Sequence, residues 1–156
     1  MDTKIKVGVI IVDEDGRALL IKEKLAKNPT PLWNIVKGSH DSGETIFTTA
    51  IRECKEEASL DVTLIHSLGV YVSEEADKRR VQFNFLAHAD GAGARPASAV
   101  EQELHGESVL EVRWFTKEEL SKMLPEEFIS LRAYELLRDW VEGKEFPLEV
   151  CKQVDM

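Results

Sequence analysis

The sequence has no run of the roughly 18–20 apolar residues that a membrane helix requires, and no basic leader ahead of an apolar stretch. It is expected to cross no membrane and to carry no secretory signal. Cysteine is scarce: Cys54 and Cys151 are the only two, one inside a helical pattern and one near the end, so a disulfide framework is excluded and a reducing cytoplasm fits. Basic residues are few relative to acids, 20 against 29, for a net charge of −9. That balance excludes a surface for long nucleic acid but leaves room for a small phosphorylated substrate arriving with its own metal. His40, His66, His88 and His105 have no ligand spacing and read as surface or loop residues. There is no internal repeat and no low-complexity tract long enough to divide the chain.

What remains is an ordinary globular composition, 43% hydrophobic and 31% charged, with enough chain for a core and for one domain over 1–156. Ile5 to Val12 is rich in β-branched residues, Asp13-Glu14-Asp15-Gly16 reads as a turn, and Ala18 to Lys22 is a second strand, so the chain is expected to open with a hairpin. Asn28 to Pro31 is expected to be a loop ahead of a short strand at Trp33–Val36. Further strands are expected at Val62–Val72 and Val81–His88. Asp90 to Ser98 reads as a loop, and Val109–Phe115 as the last strand. Thr116 and Glu119 form a capping box for a short helix. Pro125 ends it, and Glu126–Val141 is expected to be a final amphipathic helix stopped near Gly143.

Between these segments lies a helix with a distinctive charge pattern. At about 100° per residue, Phe47, Ala50, Ile51, Cys54 and Ala58 form an apolar stripe. Glu53, Glu56 and Glu57 cluster on the opposite side, three and four residues apart, and are expected to face outward. Asp41, Ser42 and Gly43 offer turn and capping chemistry in front. Three carboxylates on one face repel one another, and a hard divalent cation reverses that penalty because it takes oxygen ligands.

The surrounding pattern is Gly38, Glu44, Arg52-Glu53, Cys54, Glu56-Glu57, Ser59 and Leu60, at fixed offsets. It resembles the Nudix box, the loop-helix-loop signature of the Nudix hydrolases, with Ser59 where the family has glycine. The family glycine sits at the helix exit, where φ > 0 is often needed. Leu32-Trp33-Asn34 ahead of the box and Val112–Thr116 after it agree with the resemblance. It implies an α/β fold, an α/β/α sandwich with a mixed sheet, and water attack on phosphorus in the pyrophosphate of a nucleoside diphosphate linked to another group. It further implies Mg²⁺, with Mn²⁺ as a substitute, held by Glu53, Glu56, Glu57 and the backbone carbonyl of Lys37.

Under that resemblance, Glu53 doubles as the group that orients water, and Arg52 and Glu44 hold the carboxylates by ion pairing. A base from a later loop is expected among Glu101, Glu103 and Glu107, with Glu107 favoured as nearest the following strand. Trp33, Arg79 and Phe83 are candidates for substrate contact, the aromatics by stacking and Arg79, within Lys78-Arg79-Arg80, by phosphate contact; Tyr71 and Phe85 are further aromatic candidates. The substrate itself stays open. The closing segment leans toward a bacterial branch acting on nucleoside di- and triphosphates and thiamine-type pyrophosphates. Dinucleoside polyphosphate hydrolysis, ADP-ribose hydrolysis and a non-catalytic nucleotide sensor are the alternatives. Monomer and homodimer are both compatible with the sequence.

Overall fold

The computed structural model describes residues 1–26, 28–90, 93–95 and 108–154. β1 (Asp2–Val12) is central because its apolar run is buried on both faces: Val7, Val9 and Ile11 pack to one side, Ile10 and Val12 to the other. β6 (Lys78–His88) runs parallel to it in register from Asp2↔Lys78 to Val12↔His88, and β5 (Thr63–Glu75) lies antiparallel to β6. β2 (Ala18–Leu25), β3 (Asn28–Asn34), β4 (Val36–Ser39), β7 (Val109–Phe115) and the two-residue β8 (Phe146–Pro147) complete a mixed sheet of order β3-β2-β1-β6-β5-β8, with β4 on β1 and β7 on β2.

Helices cover both faces. α1 (Ile46–Ala58) lies on the Val7/Val9/Ile11 side. α2 (Lys117–Ser121) and α3 (Leu131–Val141) pack through Leu120, Ala133, Leu136, Leu137 and Trp140 on the Ile10/Val12 side. The architecture is the expected three-layer α/β sandwich. Among the described residues, no helix is long and apolar enough to cross a membrane.

The expected opening hairpin is the first departure. β1 and β2 pair only at Val12↔Ala18 and then separate. The strand expected at Trp33–Val36 explains why. It starts earlier, pairs β2 through Asn34, breaks at Ile35, and continues as β4 against β1. The chain thus changes partner strands at one residue, and the Ile35 N–H left out of the ladders donates to Asn34 Oδ1 at 2.9 Å. The sheet forks there. Polar and apolar alternation reveals strands but not partner exchange, so the fork was not legible beforehand.

Two helix starts also move. α1 is capped by Thr45, whose hydroxyl accepts from the Thr48 N–H while the Thr48 hydroxyl accepts from the Thr45 N–H. Asp41 to Glu44 instead forms a turn, closed by the Glu44 N–H on the Asp41 carbonyl, with Gly43 at φ 90°. The expected helix over Glu126–Val141 begins only at Leu131, capped by Ser130. Pro125–Glu127 forms a separate 3-10 turn, then Phe128 is drawn into the core and the Ile129 N–H is taken by the Trp33 carbonyl, so the α-helix cannot start earlier. The capping box at Thr116 and Glu119 forms as expected. The strand expected from Val81 starts earlier, at Lys78, and the turn before it is carried by Ala76 and Asp77.

Ser59 ends α1 at φ 61°, ψ 29°, with its N–H on the Cys54 and Lys55 carbonyls. This is the left-handed conformation that glycine adopts at least cost. Ser59→Gly is therefore expected to raise the denaturant midpoint by up to about 1 kcal/mol of stability, the entropy gained by the unfolded glycine chain offsetting part of the relieved strain. A lower midpoint in urea titration would show that the serine conformation carries no strain.

Candidate active site

The fork creates a cleft of about 480 Å³, lined by Lys6, Glu23, Lys37, Gly38, Ser39, Arg52, Glu53, Glu56, Glu57 and Ser108 among others. One wall is β4 and the end of β2. The other is α1, whose buried positions are Ile46, Thr49, Ala50, Glu53, Cys54, Glu57 and Ala58. This corrects the helical-wheel expectation. Glu53 and Glu57 are 7% and 3% exposed, whereas Ile51, expected in the buried stripe, is 40% exposed. The helix is rotated so that its acidic positions line the fork rather than face solvent. Only a sheet split at Ile35 leaves room for carboxylates there.

Contact with β4 is close. A Cβ added to Gly38 would lie 2.0 Å from Glu53 Cδ, so glycine is the residue that lets the Glu53 carboxylate rest on the strand backbone. Arg52 organises the acids around it. It pairs two-pronged with Glu44, Nε to Oε2 at 2.8 Å and Nη2 to Oε1 at 3.0 Å. Its Nη1 donates to Glu53 Oε1 and to Glu56 Oε2, each at 3.0 Å, and its Nη2 approaches the Ser39 carbonyl and Asp41 at 3.4 Å. The Arg52 hydrogen bond holds the Glu44 carboxyl below its usual range. Burial pushes Glu53 the other way, with hydrogen bonding from Glu57 and the Arg52 charge opposing it. Burial likewise raises Glu23 across the fork, against a 3.4 Å bond from Asn34.

The donor set is hard oxygen, three carboxylates from one helix, which suits a small divalent cation in place of a soft metal. One oxygen of Glu53 and one of Glu56 meet at the Arg52 Nη1. Among the described residues no three acidic, imidazole or thiol groups are gathered to grip an ion as they stand.

The other candidates fall as follows. Lys37 lines the cleft beside Gly38. Trp33 is packed edge-on against Phe115 at 5.1 Å, with the Lys22 ammonium and Arg113 guanidinium over its ring, on the sheet face opposite α1. Phe83 packs against the α1 core and lines a separate groove with Ile46, Val70 and Cys151. Phe85 is fully buried, and the Tyr71 hydroxyl bonds Asp139. Arg79 is engaged by Glu74 at 2.8 Å on the neighbouring strand. None of these five lines the fork. Glu101, Glu103 and Glu107 lie outside the described residues; Ser108, next in sequence to Glu107, lines the cleft. Lys6 and Glu23 were not singled out from the sequence. Nothing local marks them, because the partner exchange at Ile35 is what brings β1 and β2 to the same opening.

Comparison with known proteins agrees with this geometry. The NUDIX domain family matches residues 2–138, and the chain belongs to the Nudix hydrolases. It is 36% identical over 63 residues to a putative 8-oxo-dGTP diphosphatase from Bacillus subtilis (strain 168), covering 40% of each. It is 25% identical over 120 residues to Nudix hydrolase 5 from Arabidopsis thaliana, covering 74% of this chain and 37% of that one. The chain thus spans about two fifths of the length of these relatives. Among solved structures, a Nudix hydrolase from Nitrosomonas europaea superposes with a TM-score of 0.76 at 18% identity, covering 98% of both chains. A C. elegans Ap4A hydrolase complex superposes with 0.64 at 20% identity, covering 89% and 96%. At such identities the structural likeness speaks for the fold alone.

Gly38→Ala is expected to force the Glu53 carboxylate off β4, lowering turnover of any substrate at least about tenfold while the fold persists, since the colliding atoms belong to one side chain. Near-UV circular dichroism and steady-state rates on one preparation check this. Wild-type rates would show that Glu53 tolerates displacement.

Proposed function

We propose that the protein hydrolyses the pyrophosphate bond of a small nucleotide-type substrate, by water attack on phosphorus, in the fork between β4 and α1. The observation that carries this reading is the burial of Glu53 and Glu57 beside Arg52, Glu56 and the Gly38 backbone. Two carboxylates tucked against a strand and one another are costly for folding alone, and that cost is explained by a charged ligand. Glu53, Glu56 and Glu57, with the Lys37 carbonyl, would hold Mg²⁺, or Mn²⁺ in its place. When bound, such an ion neutralises charge on pyrophosphate oxygens and lowers the pKa of water.

The residues of the chain supply the rest. Arg52 fixes Glu53 and Glu56 through one Nη1 and is itself fixed by Glu44, so the acids are held in place before substrate arrives. Glu56, taking only part of the Arg52 fork and less deeply buried than Glu57, is the carboxylate that can turn toward an ion without breaking the Arg52–Glu44 pair. Glu53, raised above the usual carboxylate range by burial, is suited to accept a proton from water or to orient it. Glu107 is kept as the candidate base from the later loop. The name of the Bacillus relative, a putative 8-oxo-dGTP diphosphatase, favours a nucleoside triphosphate among the substrates. The Ap4A hydrolase superposition is the observation behind a second reading, dinucleoside polyphosphate hydrolysis. A small substrate at this cleft, a monomeric or dimeric state and a cytoplasmic setting complete the proposal.

Activity is expected to need Mg²⁺ or Mn²⁺, read as phosphate or pyrophosphate release across a nucleotide panel, and full turnover in EDTA would sink the proposal. Glu57→Gln is expected to lower kcat by about a hundredfold or more, since several kcal/mol of charge stabilisation depend on it. Its melting temperature should hold or rise, because the substitution removes a buried charge next to Glu53. A large drop in melting temperature with activity retained would make the acidic cluster structural.

A further inference from the structure

The sheet face opposite α1 carries a second set of charged groups that no reading so far uses. In the register of β1 with β4 and β6, Lys6 pairs Ser39 and Gln82, Gly8 pairs Lys37 and Asn84, and Lys4 pairs Arg80. Directly paired residues share a face, so Lys6, Lys37 and Arg80 project to the same side of the sheet. Arg132, in the first turn of α3, stands over that side. The floor there is polar where the rest of the layer is apolar. Gln82 and Asn84 are 2% and 1% exposed and bonded to each other at 2.8 Å. Gly8 makes room for them, since a Cβ there would lie 2.6 Å from Asn84 Oδ1 and 2.7 Å from Gln82 Nε2.

Four cations are gathered in a protein of net charge −9, and none of them forms an ion pair with a carboxylate among the described residues. Glu23 and Glu57 act on Lys37, Glu53 on Lys6 and Glu75 on Arg132, all beyond contact. Lys6, Lys37 and Arg132 are each partly withdrawn from water, and the charge of Arg80 acts on all three. Arg132 also stands at the positive end of the α3 dipole, the end that disfavours a cation. Like charges held together, partly desolvated and at the wrong helix end are unfavourable until an anion joins them. Lys6 and Lys37 line the cleft itself, with Lys6 Nζ donating to Ser39 Oγ at 2.7 Å, so the cationic rim continues the acidic wall.

We propose that Lys6, Lys37, Arg80 and Arg132 form an anion subsite that receives the phosphates of the substrate beyond the bond cleaved, so that the site selects chains of three or more phosphates over a diphosphate ending in an uncharged group. This rests on the hydrolase reading for turnover, but not for binding. Acids and cations side by side separate two tasks: the carboxylates act through a metal at the bond broken, and the rim takes up the charge left over.

The test uses inorganic tripolyphosphate as the probe, titrated calorimetrically into the full chain without metal, in wild type and in Arg80→Gln, Arg132→Gln and Arg79→Gln. Arg79→Gln removes the same charge one residue away, from the opposite strand face where Glu74 holds it. Arg80→Gln and Arg132→Gln are each expected to weaken binding about tenfold, the worth of a charge-assisted hydrogen bond, and Arg79→Gln less than twofold. In turnover with Mg²⁺, the same two variants should raise KM for a nucleoside triphosphate about tenfold and leave a nucleoside diphosphate sugar nearly unchanged. No tripolyphosphate binding in wild type, or equal weakening by all three variants, would overturn the subsite. Tripolyphosphate binding with the expected variant pattern, but without turnover of any nucleotide, would keep the subsite and overturn the hydrolase reading.

Discussion

The burial of two α1 carboxylates against the backbone of β4 is the constraint on which the site depends. Glu53 rests on Gly38 so closely that no side chain fits between them, and Glu57 is shielded beside it. Charged groups are seldom enclosed unless paired or ligated. Here Arg52 supplies the pairing, with Glu44 steadying Arg52 from the loop ahead of the helix. Removing Arg52 would leave the Glu53 carboxylate enclosed without its counterpart, and removing Glu44 would release Arg52, so these three behave as a unit and not as separate contributions.

That unit needs the forked sheet. A continuous β1–β2 hairpin would place β2 where β4 now runs and would close the opening. The exchange of partners at Ile35 costs one ladder hydrogen bond, which the Asn34 side chain restores. Fully buried, Asn34 also donates to Glu23 on the paired strand β2. A polar residue in the core is thus explained by topology, and the Gln82–Asn84 pair below Gly8 is a second case of polar groups placed where the layer meets the cleft.

Much of this could be read before any coordinates. The alternating and continuous apolar runs located β1, β2, β5, β6 and β7 to within a few residues, and the box spacing located α1 and the pairing of Arg52 with Glu44. The αL exit at Ser59 followed from the resemblance, in which a glycine stands at that position. Less legible was anything decided by neighbours distant in sequence. The wheel for α1 took apolar side chains as inward, yet packing turned Ile51 out and Glu53 and Glu57 in, because hydrophobicity alone cannot see a polar cleft beneath a helix. The same limit applies to Arg79 and Arg80. One residue apart in a basic run, they face opposite sides of the sheet, and only the strand register separates the one held by Glu74 from the one coupled to the fork.

The start of α1 carries a further tie. The Ile46 N–H, one of the amides that a helix cannot satisfy internally, donates to the Gln153 side chain at 2.8 Å, and Gln153 Nε2 reaches the Glu44 carbonyl at 3.4 Å. These contacts join positions 107 and 109 apart in sequence. The first turn of α1 is thereby tied to a segment far along the chain, so a substitution at Gln153 would reach the helix that bears the acids without touching any of them.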